Sequence, residues 1–261
     1  RHLEGEPVAY LIGEWEFFGL PLDISADVLI PRPDTEVLAE QAIEYIKTLD
    51  ECRVLDLCAG SGCLGLGVKK FVPSAQVTAV EKSPEALVWL NKNAAEALEG
   101  FSAEQPALTV EEGDAFVWQE GKAEESFDLI VTNPPYLTAD EMLVLQAEVR
   151  FEPAMALDGG ADGYDFYRRI AQEAPGRLFP GGTLLINCGW TAEELDEKLS
   201  AKVRRTIAEK NLNLYIIDAT KIAGELGLGN RTNTVLQSAF FKLSGVLPVD
   251  EAVKYMKDAI T

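Results

Sequence analysis

Asn133-Pro134-Pro135-Tyr136 is the stretch of this sequence best equipped for chemistry. Two adjacent prolines hold the backbone extended and remove two N–H donors, so the tetrapeptide presents carbonyl oxygens. The Asn133 side-chain oxygen and the Pro134 carbonyl can both accept hydrogen bonds from one NH2 group. That arrangement fixes the group's orientation and stabilises positive charge as a new bond forms on its nitrogen. Tyr136 can cover a planar group and exclude water. An amide nitrogen is a poor nucleophile because its lone pair is delocalised, so a site of this kind needs an activated electrophile and good positioning more than a strong base. Without its context, a Pro-Pro step after a strand is usually only a turn.

A second set of residues lies upstream, in Asp56-Leu-Cys58-Ala59-Gly60-Ser61-Gly62. Small residues let the backbone turn sharply and approach a ligand, and the helix that follows offers free N–H groups. Gly60, Gly62 and Gly65 also satisfy G-x-G-x-x-G, which keeps a dinucleotide reading open. Asp56 weighs against it, since a carboxylate at the loop repels a pyrophosphate but can hold an ammonium group. Glu81 closes the next strand and can accept both hydroxyls of a ribose, a role shared by several nucleotide cofactors. After the third strand, Asp114 and Ala115 can meet the edge and face of an adenine, with a plain helix cap as the bland alternative for Asp114. The single histidine, His2, sits at the terminus, and Cys52, Cys58, Cys63 and Cys188 form no C-x-x-C pair. No metal site is expected, and a histidine base is nearly excluded.

These residues need a scaffold, and the pattern supplies one. Strand-like runs at Arg53–Leu57, Gln76–Val80, Leu108–Glu111, Phe127–Thr132 and Gly182–Asn187 alternate with helix-length segments such as Ser83–Glu99 and Gly163–Leu178. The expected class is α/β, a doubly wound, mostly parallel sheet whose ligands bind beyond the carboxyl ends of the strands. Ahead of the first of these strands lie a short hairpin, the Pro31-Arg32-Pro33 break and a helix capped by Asp34, with Val37, Leu38, Ile43 and Ile46 as its apolar stripe. A chain of 261 residues with 47% hydrophobic content is ample for one large domain or a domain plus an appendage. With 23 basic against 43 acidic side chains the formal charge is −20, which makes free nucleic acid a poor partner. No apolar run suggests a membrane span and no leader is recognisable, so the reading is a cytoplasmic protein. Arg1 rather than Met opens the chain, which reads as a fragment.

At these residues the sequence resembles the protein-(glutamine-N5) methyltransferases of peptide-chain release factors, the HemK/PrmC family, over about residues 4–179. The tetrapeptide alone does not carry the resemblance, because it also occurs in adenine-N6 DNA methyltransferases and several RNA methyltransferases. The specific flanks are GEPVAYLIGEWEFFGLPLDISADVLIPRPDTEVL before the glycine loop and EVRFEPAMALDGGADGYDFYRRI after the tetrapeptide. The resemblance implies a class I, Rossmann-like methyltransferase using S-adenosyl-L-methionine and methylating a release-factor glutamine; the alternatives are adenine-N6 methylation of nucleic acid or a chimeric fragment without competent activity. The implied cofactor contacts are Cys58, Ala59, Gly60, Ser61, Gly62, Glu81, Asp114, Ala115 and Asn133, to which the loop argument adds Asp56. Asn133, Pro134, Pro135 and Tyr136 would hold the glutamine, with Pro31–Pro33 and Arg150–Pro153 shaping its approach. The family usually has Gly at the place of Cys58, often has Asp at the place of Glu81, and carries a helical N-terminal domain that is missing from this sequence. Residues 1–33 then form a lead-in, 34–187 the catalytic domain and 188–261 an atypical segment. This last part, above all GLGNRTNTVLQSAFFKLSGVLP, resembles the gamma region of pyruvate:ferredoxin oxidoreductases, as in a gene fusion or an assembly error joined between Gly176 and Trp190.

Overall fold

Strand β3 (Arg53–Leu57) shows why the centre of the fold is a sheet buried on both faces. Side chains alternate across a strand, so Val54 enters one hydrophobic cluster while Leu55 and Leu57 enter the other. The same alternation in β6 (Phe127–Thr132) sends Leu129 and Val131 to one side and Ile130 to the other. The computed structural model describes residues 2–99, 108–115, 117, 127–187, 197 and 199–217. Within them, β4 (Gln76–Glu81), β5 (Thr109–Glu112), β7 (Leu178–Asn187) and β8 (Asn213–Ile217) complete a parallel sheet in the order β5-β4-β3-β6-β7-β8. The order reverses direction between β3 and β6, which makes the carboxyl ends of those two strands the place for a ligand.

One face carries α2 (Pro33–Ile46), α3 (Cys63–Phe71) and α4 (Pro84–Ala97), whose Leu38, Ala42, Ile46, Val68 and Leu90 join the first cluster. After the short α5 (Ala139–Leu143), the other face carries α6 (Asp165–Arg177) and α7 (Ala201–Lys210), through Tyr167, Ile170, Ala174 and Val203. The expected stripe of α2 is buried at Leu38, Ile43 and Ile46. Its expected cap is not Asp34. The helix begins at Pro33 with Arg32 as N-cap, because a proline loses nothing at the first helical position, where its missing N–H has no partner to lose.

The lead-in contains α1 (Val8–Ile12) and the expected hairpin, β1 (Glu14–Phe17) paired antiparallel with β2 (Leu20–Asp23). Phe18 and Gly19 turn it with positive φ angles of 53° and 66°, as a two-residue turn between twisted strands requires. Phe17, Leu20 and Leu22 pack into the first cluster. The buried Asn93 of α4 then ties the hairpin to the glycine loop, accepting from Asp23 N at 2.8 Å and donating to Ser61 O at 2.9 Å. In the tail, apolar spacing predicts a helix over Ala192–Glu209, a strand at Leu214–Ile217 and a last stripe at Val253, Met256, Ala259 and Ile260. The strand is β8, and α7, capped by Ser200, covers the second half of the helix; the stripe and the oxidoreductase-like stretch 227–248 lie outside the described residues. Among the described residues no helix is long and apolar enough to cross a membrane.

Candidate active site

Strands β3, β4, β5 and β6 end side by side, and the loops that leave them enclose a cavity of about 470 Å³. Cys58, Ala59, Gly60 and Ser61 line it after β3, Glu81 after β4, Asp114 and Ala115 after β5, and Asn133 and Pro135 after β6. A Cβ added at Gly60 would meet nothing within 4 Å, so the loop backbone borders open space there. The parts of the loop divide the work. A Cβ at Gly62 would lie 2.4 Å from Leu90 Cδ1, which makes this glycine a requirement of α3 packing on α4, and Gly62 is not on the cavity wall.

Asp56 also departs from expectation. It is fully buried beneath the loop on the α3 side, does not line the cavity, and its Oδ2 accepts from Gly65 N at 2.9 Å. Asp56 and Val54 lie on the same face of β3, so its side chain points under α3 rather than toward a ligand. A Cβ at Gly65 would stand 3.1 Å from Asp56 Oδ2, which explains the third glycine of the G-x-G-x-x-G spacing without any pyrophosphate. Burial, opposed by the Gly65 hydrogen bond and helped by the charge of Glu81, pushes the Asp56 carboxyl up to about 7.

Glu81 is on the cavity wall and already bonded. Its Oε2 accepts from Gly60 N at 2.8 Å, and its Oε1 from Lys82 N and Ser83 N, each at 2.8 Å. A carboxylate offers about four lone-pair sites, so one site remains, on Oε2. Asp114 faces the same space and pairs with Lys82 Nζ at 3.1 Å. Cys58 takes a left-handed φ of 60°, a conformation that favours glycine. Desolvation, with Glu81 nearby, pushes its thiol up to about 12, and desolvation with Asp56 nearby does the same for Cys63. Both thiols stay neutral, so neither is a nucleophile.

The tetrapeptide stands between this cavity and a second one of about 510 Å³. Asn133 lines both, Pro135 faces the first, and Pro134 and Tyr136 face the second. The chain beyond is clamped by the downstream flank. Leu137 N donates to Leu157 O at 2.9 Å and Gly159 N donates to Leu137 O at 2.8 Å. At Gly163 an added Cβ would come within 2.4 Å of Tyr136 O. Arg32 and Glu152, from the two segments expected to shape the approach, meet in an ion pair on the wall of the second cavity. Glu152 is 6% exposed and also accepts from Ile30 N at 3.2 Å.

Several wall residues had no part in the sequence expectations: Asp27, Val28 and Thr35 from the lead-in and α2, Lys82, and Phe166 and Arg169 from α6. The proline break that fixes the start of α2 is the signal that could have pointed to Thr35. The others reach the wall only through the packing of distant elements.

The methyltransferase small domain family matches residues 34–216, a span that takes in α7 and β8. A release factor glutamine methyltransferase of Geobacter sulfurreducens is 43% identical over 190 residues, covering 72% of this chain and 63% of that protein. The one from Bordetella pertussis is 42% identical over 195 residues, covering 74% and 68%. That of Salmonella typhimurium is 38% identical over 194 residues, covering 74% and 66%. The chain therefore spans between 63% and 68% of the length of these relatives.

Proposed function

We propose that this chain, which belongs to the release factor glutamine methyltransferase family, transfers the methyl group of S-adenosyl-L-methionine to the side-chain nitrogen of a glutamine in a peptide-chain release factor. One observation carries the reading. Asn133 lies on the wall shared by two cavities, so a cofactor in the first and a side chain entering the second would meet at the same amide.

The residues fit the cofactor. The open backbone at Gly60, the remaining acceptor on Glu81, the polar edge at Asp114 and the apolar wall of Ala115 and Val80 suit a nucleoside. Cys58, Ala59 and Ser61 complete the proposed contacts, while Asp56 and Gly62 support the loop from behind. S-adenosylmethionine supplies an activated methyl electrophile. What the chain supplies is position: Asn133 Oδ1 and Pro134 O accept the two hydrogens of the glutamine NH2, and Tyr136 covers the amide plane. As the nitrogen becomes cationic, the two oxygens stabilise it, and its proton can leave afterwards without a dedicated base.

The proposed organisation keeps residues 1–33 as the lead-in and 34–187 as the catalytic domain, with 188–261 appended. The pairing of β8 with β7 draws the start of that appended segment into the same sheet. The charge of −20 favours a protein over free nucleic acid as partner, and a cytoplasmic location goes with that substrate. The test is methyl transfer from labelled S-adenosylmethionine to purified release factor and, separately, to adenine-containing DNA. Label on the glutamine is expected. Label on DNA alone would select the adenine-N6 alternative.

A further inference from the structure

We infer that Thr35 is a positioning residue for Asn133, fixing which edge of the Asn133 amide meets the substrate; the inference rests on the glutamine-methylating reading. Thr35 is the third residue of α2 and is 4% exposed. Its Oγ1 accepts a hydrogen bond from Asn133 Nδ2 at 3.4 Å, across 98 residues of sequence. The length is at the long end for a hydrogen bond, and contacts of this kind tighten when substrate fills a site.

An asparagine amide is nearly symmetrical in shape and opposite in hydrogen bonding at its two ends. For an incoming NH2 group that difference decides between productive and unproductive binding. With Oδ1 forward, Asn133 accepts a substrate hydrogen. With Nδ2 forward, two donors face each other. Thr35 engages Nδ2 and so leaves Oδ1 to the substrate. In the structure the Thr35 hydroxyl oxygen takes the acceptor role toward Asn133 Nδ2. Pro33 sets the start of α2, so the rigid break ahead of the helix also sets the place of Thr35.

The test uses the full chain, labelled S-adenosylmethionine and release factor. Thr35→Val keeps the shape and removes the acceptor; it should lower kcat roughly 3- to 10-fold, the scale of one neutral hydrogen bond, with little change in the cofactor KM. Thr35→Ser should restore most of the rate. In an Asn133→Ala background Thr35→Val should add no further loss, because the group it acts through is gone. An unchanged kcat, an equal loss in the Asn133→Ala background, or a loss confined to the cofactor KM would each overturn the inference. A wild-type chain that labels no release factor would instead overturn the reading beneath it. One measurement is independent of turnover: the side-chain NH2 resonance of Asn133, assigned by its loss in Asn133→Ala, should shift in Thr35→Val and return in Thr35→Ser. An unmoved resonance overturns the inference whether or not the chain is active.

Discussion

Asp56→Asn removes a buried charge while keeping the acceptor that holds the loop. The carboxyl has one oxygen bonded to Gly65 N and one, Oδ1, with no hydrogen-bond partner, and desolvation raises it from 3.8 to about 7. A raised value means that the folded protein keeps a proton which the unfolded chain releases. Between about pH 4 and pH 7 the native state therefore binds more protons, and stability falls as pH rises through that window. The interval from 3.8 to 7 is about 3 units, on the order of 4 kcal/mol in all, of which about 3 kcal/mol falls between pH 5 and pH 8. Asparagine does not titrate. Its NH2 group, placed where Oδ1 has no partner, costs about 1–3 kcal/mol at every pH.

The variant should therefore gain about 3 kcal/mol on wild type between pH 5 and pH 8, and be the more stable of the two by pH 8. Urea unfolding followed by tryptophan fluorescence, run in parallel on the two proteins, measures the difference, in which the remaining carboxylates cancel. A difference that stays flat within about 0.5 kcal/mol across this range refutes the account of Asp56 as a buried carboxyl with a raised pKa. The same variant separates two roles. If Asp56 held the cofactor ammonium directly, binding would weaken by about 1.5–3 kcal/mol; its place beneath the loop predicts a smaller loss in a calorimetric titration.

Asn133→Ala should slow methyl transfer by roughly 100-fold or more while reducing cofactor affinity far less, as single-turnover rates and calorimetry would show. Gly163 has φ 77° and no room beside Tyr136 O, so Gly163→Ala should cost about 1–3 kcal/mol in thermal unfolding and lower turnover as well. At Gly176, the next-to-last residue of α6, an added Cβ meets nothing, and Gly176→Ala should instead gain about 0.4–1 kcal/mol by narrowing the freedom of the unfolded chain. Glu152→Ala leaves Arg32 and Ile30 N without their acceptor. Because the Arg32 side chain is 35% exposed, the expected loss is about 1–3 kcal/mol, below that of a fully buried pair, and KM for release factor should rise more than KM for cofactor.

The central strands were legible because burial on both faces writes an apolar run that local pattern detects. Their ends were less so. Pro180-Gly181-Gly182 reads as a break, and the apolar run starts at Gly182, yet β7 starts at Leu178. A register shift between Phe127 and Leu129 absorbs the irregularity, as bulges do where a proline cannot donate to the ladder. Asp34 has a side chain able to cap, but the proline before it suits the first helical position, and that decides where α2 begins. For Asp56 the sequence showed a carboxylate next to a glycine loop. Which face of β3 it occupies follows from the parity of the strand relative to Val54, and the motif spacing does not encode that.

The substrate side of the site was the hardest to read, because it is made by contacts between residues far apart in the chain. Asn133 meets Thr35 across 98 residues, and Arg32 meets Glu152 across 120. No period or spacing rule spans such distances. The two flanks nonetheless stood out in the sequence, since GEPVAYLIGEWEFFGLPLDISADVLIPRPDTEVL contains Arg32 and Thr35 while EVRFEPAMALDGGADGYDFYRRI contains Glu152 and Gly163. A tetrapeptide that orients an NH2 group serves glutamine and adenine alike. What separates them must lie in the walls around it, to which the two flanks contribute the ion pair beside the second cavity, the glycine that lets the loop close on Tyr136, and the threonine on the Asn133 amide. On this argument, exchanging the flanks should change which planar nitrogen is methylated, while exchanging the tetrapeptide alone should change only the rate.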